Sequence, residues 1–250
     1  MVIHLLTNAS MMDGPATFQK AVYQIHGLGK MLPLIEWTFI FLPIIFHAVL
    51  GVIIIRGGLP NTGTYKYASN VRYTLQRATG LIAFVFIFLH VFHMHGWFHF
   101  DFWLTNVAEP LGGAQFKPYN ASSTAAAAFQ GSFAWTVFYA VGVLSCVFHL
   151  SNGIWSAGVR WGIWTSPAAM QRATLACTGF GLILAVVSTT ALWAPHTVKI
   201  DAAKQVEREM YKSKLSSHEI EPNSHKRSEP DDGVPVTGDI KATADAKPGG

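Results

Sequence analysis

The chain has 250 residues, of which half are hydrophobic and only 13% charged, with 11 histidines and a formal charge of +4. Nineteen of its 32 charged residues lie between Lys199 and Gly250, nine basic and ten acidic, which leaves residues 1–198 with nine Lys/Arg and four Asp/Glu. Soluble domains are about a quarter charged, so residues 1–198 are excluded as one, and basic residues this sparse are no nucleic-acid footprint. Cys146 and Cys177 both sit in apolar runs, which excludes a disulfide framework and a zinc ribbon.

In chain order, Ile3–Ser10 reads IHLLTNAS, without the basic start, apolar core or cleavage site of a signal peptide. It reads as the end of a helix whose beginning is missing. Four stretches then approach or exceed the ~20 apolar residues that cross a bilayer: 32–55, with Glu36 and His47; 78–98, with three histidines; 132–159, with His149; and 173–195, without charge. None alternates with the period of a strand, so these are helices. Arg56, Lys66, Arg72 and Arg77 between the first and second spans, and Arg160 and Arg172 between the third and fourth, place those connections in the cytoplasm. The opposite connection, 99–131, has only Lys117 beside Asp101 and Glu109. The lysines and arginines from Lys199 to Lys214 run against this orientation. Residues 201–215 have the pattern of a short amphipathic surface helix. After Ser216 the composition is that of a disordered tail. The expected fold is all-α, an integral membrane helical bundle of four full transmembrane helices plus the remnant of a fifth. Residues 1–198 form its membrane domain and 199–250 a polar tail.

Ionisable side chains inside a membrane are costly and are functional by default. His47, His90 and His149 lie one to a helix, well inside three successive spans. His47 is nine residues before Arg56, His149 is 11 before Arg160 and His90 is 13 after Arg77. At about 1.5 Å per residue these are depths of roughly 14, 17 and 20 Å from the cytoplasmic connections. His47 and His149 can thus face each other across one planar cofactor. His90 is displaced outward, and the candidate to face it is His4. Two imidazoles on facing helices supply both axial positions of an iron porphyrin, so four make two stacked haems. Gly51, Gly80, Gly142 and Gly153 allow close approach near these positions, as they also would in ordinary helix packing. Arg56, Arg77 and Arg160 are either propionate partners or positive anchors.

The runs FLPIIFHAVLGVII (41–54), LQRATGLIAFVFIFLHVF (75–92) and VGVLSCVFHLSNGIWSAGVRWGI (141–163) resemble the di-haem cytochrome b membrane anchor of succinate:quinone oxidoreductase, the complex of succinate dehydrogenase and some fumarate reductases. The resemblance runs from about residue 2 to 195. It implies five transmembrane helices, with most of the first absent here, and two haems b with bis-histidine ligation. His4 and His90 would hold the outer haem, His47 and His149 the inner. It also implies a flavoprotein subunit that oxidises succinate, an iron–sulfur subunit docked on the cytoplasmic connections 57–76 and 160–172, and a membrane quinone, menaquinone in the members this chain resembles. The succinate-oxidising site is then in the flavoprotein, and the location is a bacterial cytoplasmic membrane.

A quinone reaction at the outer haem needs a proton carrier. Glu36, one turn into its span, and His26, outside the spans on the same side, are the candidates; a snorkelling carboxylate and a solvated histidine are the alternatives. His95 and His99 form an HxxxH pair that could hold a metal but fits interfacial polar side chains better. His196, His218 and His225 read as solvated. Two other classes stay open on residues alone. A membrane di-iron hydroxylase or desaturase would need histidine clusters gathered on one side, and a cofactor-free anchor or transporter would need none.

Overall fold

The computed structural model describes residues 1–58 and 62–228, and it is helical throughout apart from turns and connections. α1 (Val2–Ala9) and α2 (Pro15–His26) are joined through Gly14, whose φ of 133° lies in the left-handed half of the map, and Pro15 opens α2 at a position where no N–H is needed. Four long apolar helices follow in part or alternate with short ones: α3 (Leu32–Arg56), α4 (Ala68–His95), α6 (Phe133–Arg160) and α7 (Pro167–Thr197). Between α4 and α6 stands the short α5 (Ala121–Gln130), and after α7 comes α8 (Ile200–Ser216). All four expected spans are therefore present. Several run past the apolar stretch into polar ends, α4 by a full decade of residues, because Arg72, Gln76 and Arg77 find partners there.

α3 widens into a π-helical stretch at Trp37–Phe41, just before Pro43. The proline ring would collide with the carbonyl four residues back in a regular α-helix, and the wider turn relieves this. Gly96, at φ 75°, ends α4, and Ser166 caps α7 by accepting from the Ala169 amide at 3.2 Å. In the bundle α4 packs on α6, α6 on α7, and α1 on α7. Leu5, Val147, Leu184 and Ala191 form the core where α1 meets α6 and α7. α3 stands apart: none of its residues is buried, and Phe39, Phe46 and Ile54 are each about 70% exposed. Such faces suit lipid rather than water, where they would be a large unpaired apolar surface.

One end of the bundle carries the arginines of the 57–76 and 160–172 connections; the other carries a cap. α2, α5 and α8 enclose a small core of Met11, Phe18, Val22, Ala121, Ala125, Ala126 and Ala203, joined by Ala194 and Val198 from the end of α7. The alanine run of α5 is what permits this close approach. Glu207 of α8 is fully buried and accepts from the Ser122 amide at 2.6 Å, the Ser123 amide at 3.0 Å and the Ser123 hydroxyl at 2.5 Å. It thus fills the amino end of α5, where backbone N–H groups have no partner within the helix. Residues 217–228 continue over the cap, with Arg227 over the Tyr211 ring at 4.1 Å and the Ser228 amide on Asn120 Oδ1 at 3.0 Å. The rest of the expected disordered tail, 229–250, lies outside the described residues.

Candidate functional site

The four histidines singled out from the sequence come together as two pairs. His4 on α1 and His90 on α4 lie with ring centroids 5.8 Å apart and planes at 72°, toward the cap end. His47 on α3 and His149 on α6 lie 5.9 Å apart at 77°, toward the arginine end. Each pair joins helices that are not neighbours in sequence.

Each pair has one histidine held from behind. His149 Nδ1 lies 3.0 Å from the backbone carbonyl of Gln76. A carbonyl only accepts, so Nδ1 carries the proton and Nε2 keeps its lone pair for the ring's open side. His90 Nδ1 is 3.1 Å from the Tyr139 hydroxyl, which also lies 2.9 Å from His93 Nδ1. The Tyr139 hydroxyl thus bridges the two imidazoles, and it donates to at most one of them. His93 stacks on Trp135 at 3.9 Å and is buried, and His90 stacks on Phe86 at 5.6 Å. The opposite members, His4 and His47, are exposed along one side. Asn8 holds His4, its Nδ2 lying 3.0 Å from the His4 carbonyl and 3.2 Å from Nε2.

Space beside the pairs differs from glycine to glycine. A Cβ on Gly51, one turn past His47, would meet nothing within 4 Å, so the face of α3 that presents His47 is open. A Cβ on Gly80 would come within 2.7 Å of the His149 ring, and one on Gly142 within 2.1 Å of Phe86. Those two glycines are therefore required by helix contact. An open helix face at His47, imidazoles paired at two levels and a His149 Nε2 that carries no proton fit a planar group ligated from both sides.

Tyr139, Gln76 and Asn152 were missed from sequence. The signal for Tyr139 was its place in the α6 stripe Trp135, Tyr139, Gly142, Cys146 and His149, spaced by threes and fours. Of the three arginines considered as propionate partners, Arg77 is engaged with the Tyr73 hydroxyl at 2.8 Å and with the Ile55 carbonyl, tying α4 to the end of α3.

Glu36 is half-buried at the cap end of α3. His26 ends α2, its Nδ1 buried without a hydrogen-bond partner among the described residues. Burial pushes its imidazole down to about 4, and the charges of Lys226 and His99 add to this. His95 and His99 lie with ring centroids 6.5 Å apart. Among the described residues no group of three or more His, Cys, Asp or Glu is gathered to hold a metal ion, so the donor set of a di-iron enzyme is not assembled there. His225, read as solvated, pairs with Asp101 at 2.8 Å.

The chain is 34% identical over 194 residues to the succinate dehydrogenase cytochrome b558 subunit of Bacillus subtilis (strain 168), an alignment covering 78% of this chain and 87% of that protein. The chain belongs to the succinate dehydrogenase cytochrome b subunit family. Neither a family model nor a solved structure matches it. A succinate dehydrogenase cytochrome b subunit is an all-α, multi-pass membrane protein and works as part of an oxidoreductase complex, and the four apolar helices agree with that.

Proposed function

We propose that this membrane-anchor and electron-transfer subunit holds two haems b, His4 and His90 ligating one at the cap end and His47 and His149 the other at the arginine end. The single observation that carries this reading is the pairing of four imidazoles at two levels of one bundle. Haem supplies a one-electron carrier. The protein's part is to hold the ligands in facing helices, fix the His149 tautomer through the Gln76 carbonyl and hold His90 through the Tyr139 hydroxyl. Two carriers at different levels suit electron passage from an iron–sulfur subunit at the arginine end, taken as cytoplasmic, toward a membrane quinone, menaquinone in this reading, at the cap end. Glu36 and His26 are the proton-handling groups there, His26 as a neutral acceptor at physiological pH. The succinate-oxidising site belongs to a flavoprotein partner, and the complex sits in a bacterial cytoplasmic membrane. In the polar tail, 199–228 belongs to the cap, so the membrane unit and its cap together span 1–228.

The test is the reduced-minus-oxidised spectrum of the purified complex, with haem counted per chain. Wild type is expected to bind two b-type haems, and His47→Ala or His149→Ala is expected to lose the same one while keeping the other. A wild-type spectrum without b-type bands would sink the reading, and retention of both haems in His149→Ala would refute the ligand assignment.

A further inference from the structure

Behind His149, facing stripes of α4 and α6 carry a hydrogen-bonded chain that ends on a cation. The α4 stripe is Arg72, Gln76 and Gly80, each one turn from the next; the α6 stripe is His149, Asn152 and Trp155. Arg72 Nε donates to Asn152 Oδ1 at 2.9 Å, and Asn152 Nδ2 donates to Gln76 Oε1 at 2.7 Å. Gln76 Nε2 donates to the His149 backbone carbonyl at 3.1 Å, and His149 Nδ1 donates back to the Gln76 carbonyl at 3.0 Å. The Arg72 guanidinium lies 3.9 Å from the centroid of the Trp155 ring.

We propose that Arg72, Asn152 and Gln76 are positioning residues that lock the ring of His149 and fix an uncompensated positive charge beside it, biasing the haem on His47 and His149 toward its reduced state. The proposal rests on the haem assignment above. Each amide in the chain uses its oxygen as acceptor and its nitrogen as donor, which allows one arrangement only. The His149 ring is therefore pinned at Nδ1 as well as at its backbone. The guanidinium is charged at every accessible pH. Its partners on α6, an amide oxygen and an aromatic face, leave that charge in place, and no ion pair neutralises it among the described residues. One-electron reduction takes one positive charge from the metal centre, so a fixed cation nearby favours the reduced form, more so away from bulk water. An arginine serving only as a cytoplasmic anchor would reach for solvent or lipid phosphate; Arg72 is half-buried and turned along the helix interface. At the cap-end pair, His90 instead faces the neutral Tyr139 hydroxyl.

The experiment is a potentiometric titration of the purified intact complex, followed at the haem bands, for wild type, Arg72→Gln, Arg72→Lys and Asn152→Asp. Arg72→Gln is expected to keep both haems and shift one midpoint downward, that of the haem lost in His149→Ala. Arg72→Lys should keep most of the wild-type value. Asn152→Asp, which sets a negative charge against the guanidinium, should shift the same haem downward and reads the effect even where Arg72→Gln fails to assemble. If His149→Ala loses one haem while the midpoint of that haem is unchanged in both charge variants, the relay is overturned and the haem assignment stands. Equal shifts of both haems would also overturn it. If His149→Ala keeps both haems, the assignment itself fails.

Discussion

Gly80 shows how much a single residue decides here. It continues the α4 stripe of Arg72 and Gln76 to the level of His149, and its missing side chain is the room that the imidazole occupies. Gly80→Ala would set a methyl 2.7 Å from the His149 Cε1 atom, closer than carbon atoms approach. Two packed backbones leave it nowhere to go, and overpacking of this kind costs about 1–3 kcal/mol. The expected outcome is a complex that assembles with the haem on His149 lost or weakened and the cap-end haem retained, read from haem stoichiometry. Gly179→Ala on α7, which meets open space, is the matched control and should leave haem content unchanged. A glycine at such a spacing is visible in sequence, but whether it faces a ligand or lipid is not.

Among the elements, α8 departs most from what its composition implies. Its sequence is amphipathic and heavily charged, consistent with a helix lying on a surface, yet Tyr211 and Glu207 are buried. Burial pushes the Glu207 carboxyl up, while hydrogen bonds from Ser123, Ser122 and Asn120 pull it back down. Those donors explain why an acid is tolerated in a dry position: they are the free Ser122 and Ser123 amides of the α5 amino end, joined by the Ser123 hydroxyl and the Asn120 side chain. Glu207→Ala leaves them unsatisfied, and a buried group left without its partner costs about 1–3 kcal/mol. The expected result is undocking of α8 with the apolar spans intact. It would appear as faster backbone hydrogen exchange over 199–228 and cleavage by protease in that segment, at unchanged haem content.

For the whole molecule, the cap makes stability depend on pH. His26 is held at about 4, and burial with nearby Lys226 and Lys117 lowers His99 as well. In the unfolded chain both imidazoles take up protons near their ordinary value of about 6.5. Between that value and their lowered ones, the unfolded state binds more protons than the folded, so the cap loses stability as pH falls. Glu207 acts in the opposite sense, because a raised carboxyl takes up its proton more readily when folded. The expected net effect is a lower unfolding temperature at pH 5 than at pH 7, with the difference reduced in His26→Gln and reduced further in the double variant with His99→Gln. An unchanged difference in both variants would assign the effect to other groups.

Much of this architecture was legible before any coordinates. Spans were legible because crossing a bilayer leaves a long uncharged run, and the similar level of His47 and His149 because helix rise converts residue offsets from the arginines into depth. Rotation about each helix axis is not written in depth, and that is where the sequence alone stopped. Gln76 and Asn152 are ordinary amides until α4 and α6 turn the same faces together. Tyr139 is one aromatic among many until its hydroxyl lies between His90 and His93. Likewise, charge count marked α8 as peripheral, whereas a carboxylate that meets free helix amides 84 residues away can only be recognised once the chain has folded. Length and composition determined that this chain crosses a membrane with histidines at two levels. The tertiary structure decided which groups stand behind those histidines, because hydrogen bonds between distant residues depend on the facing of packed helices.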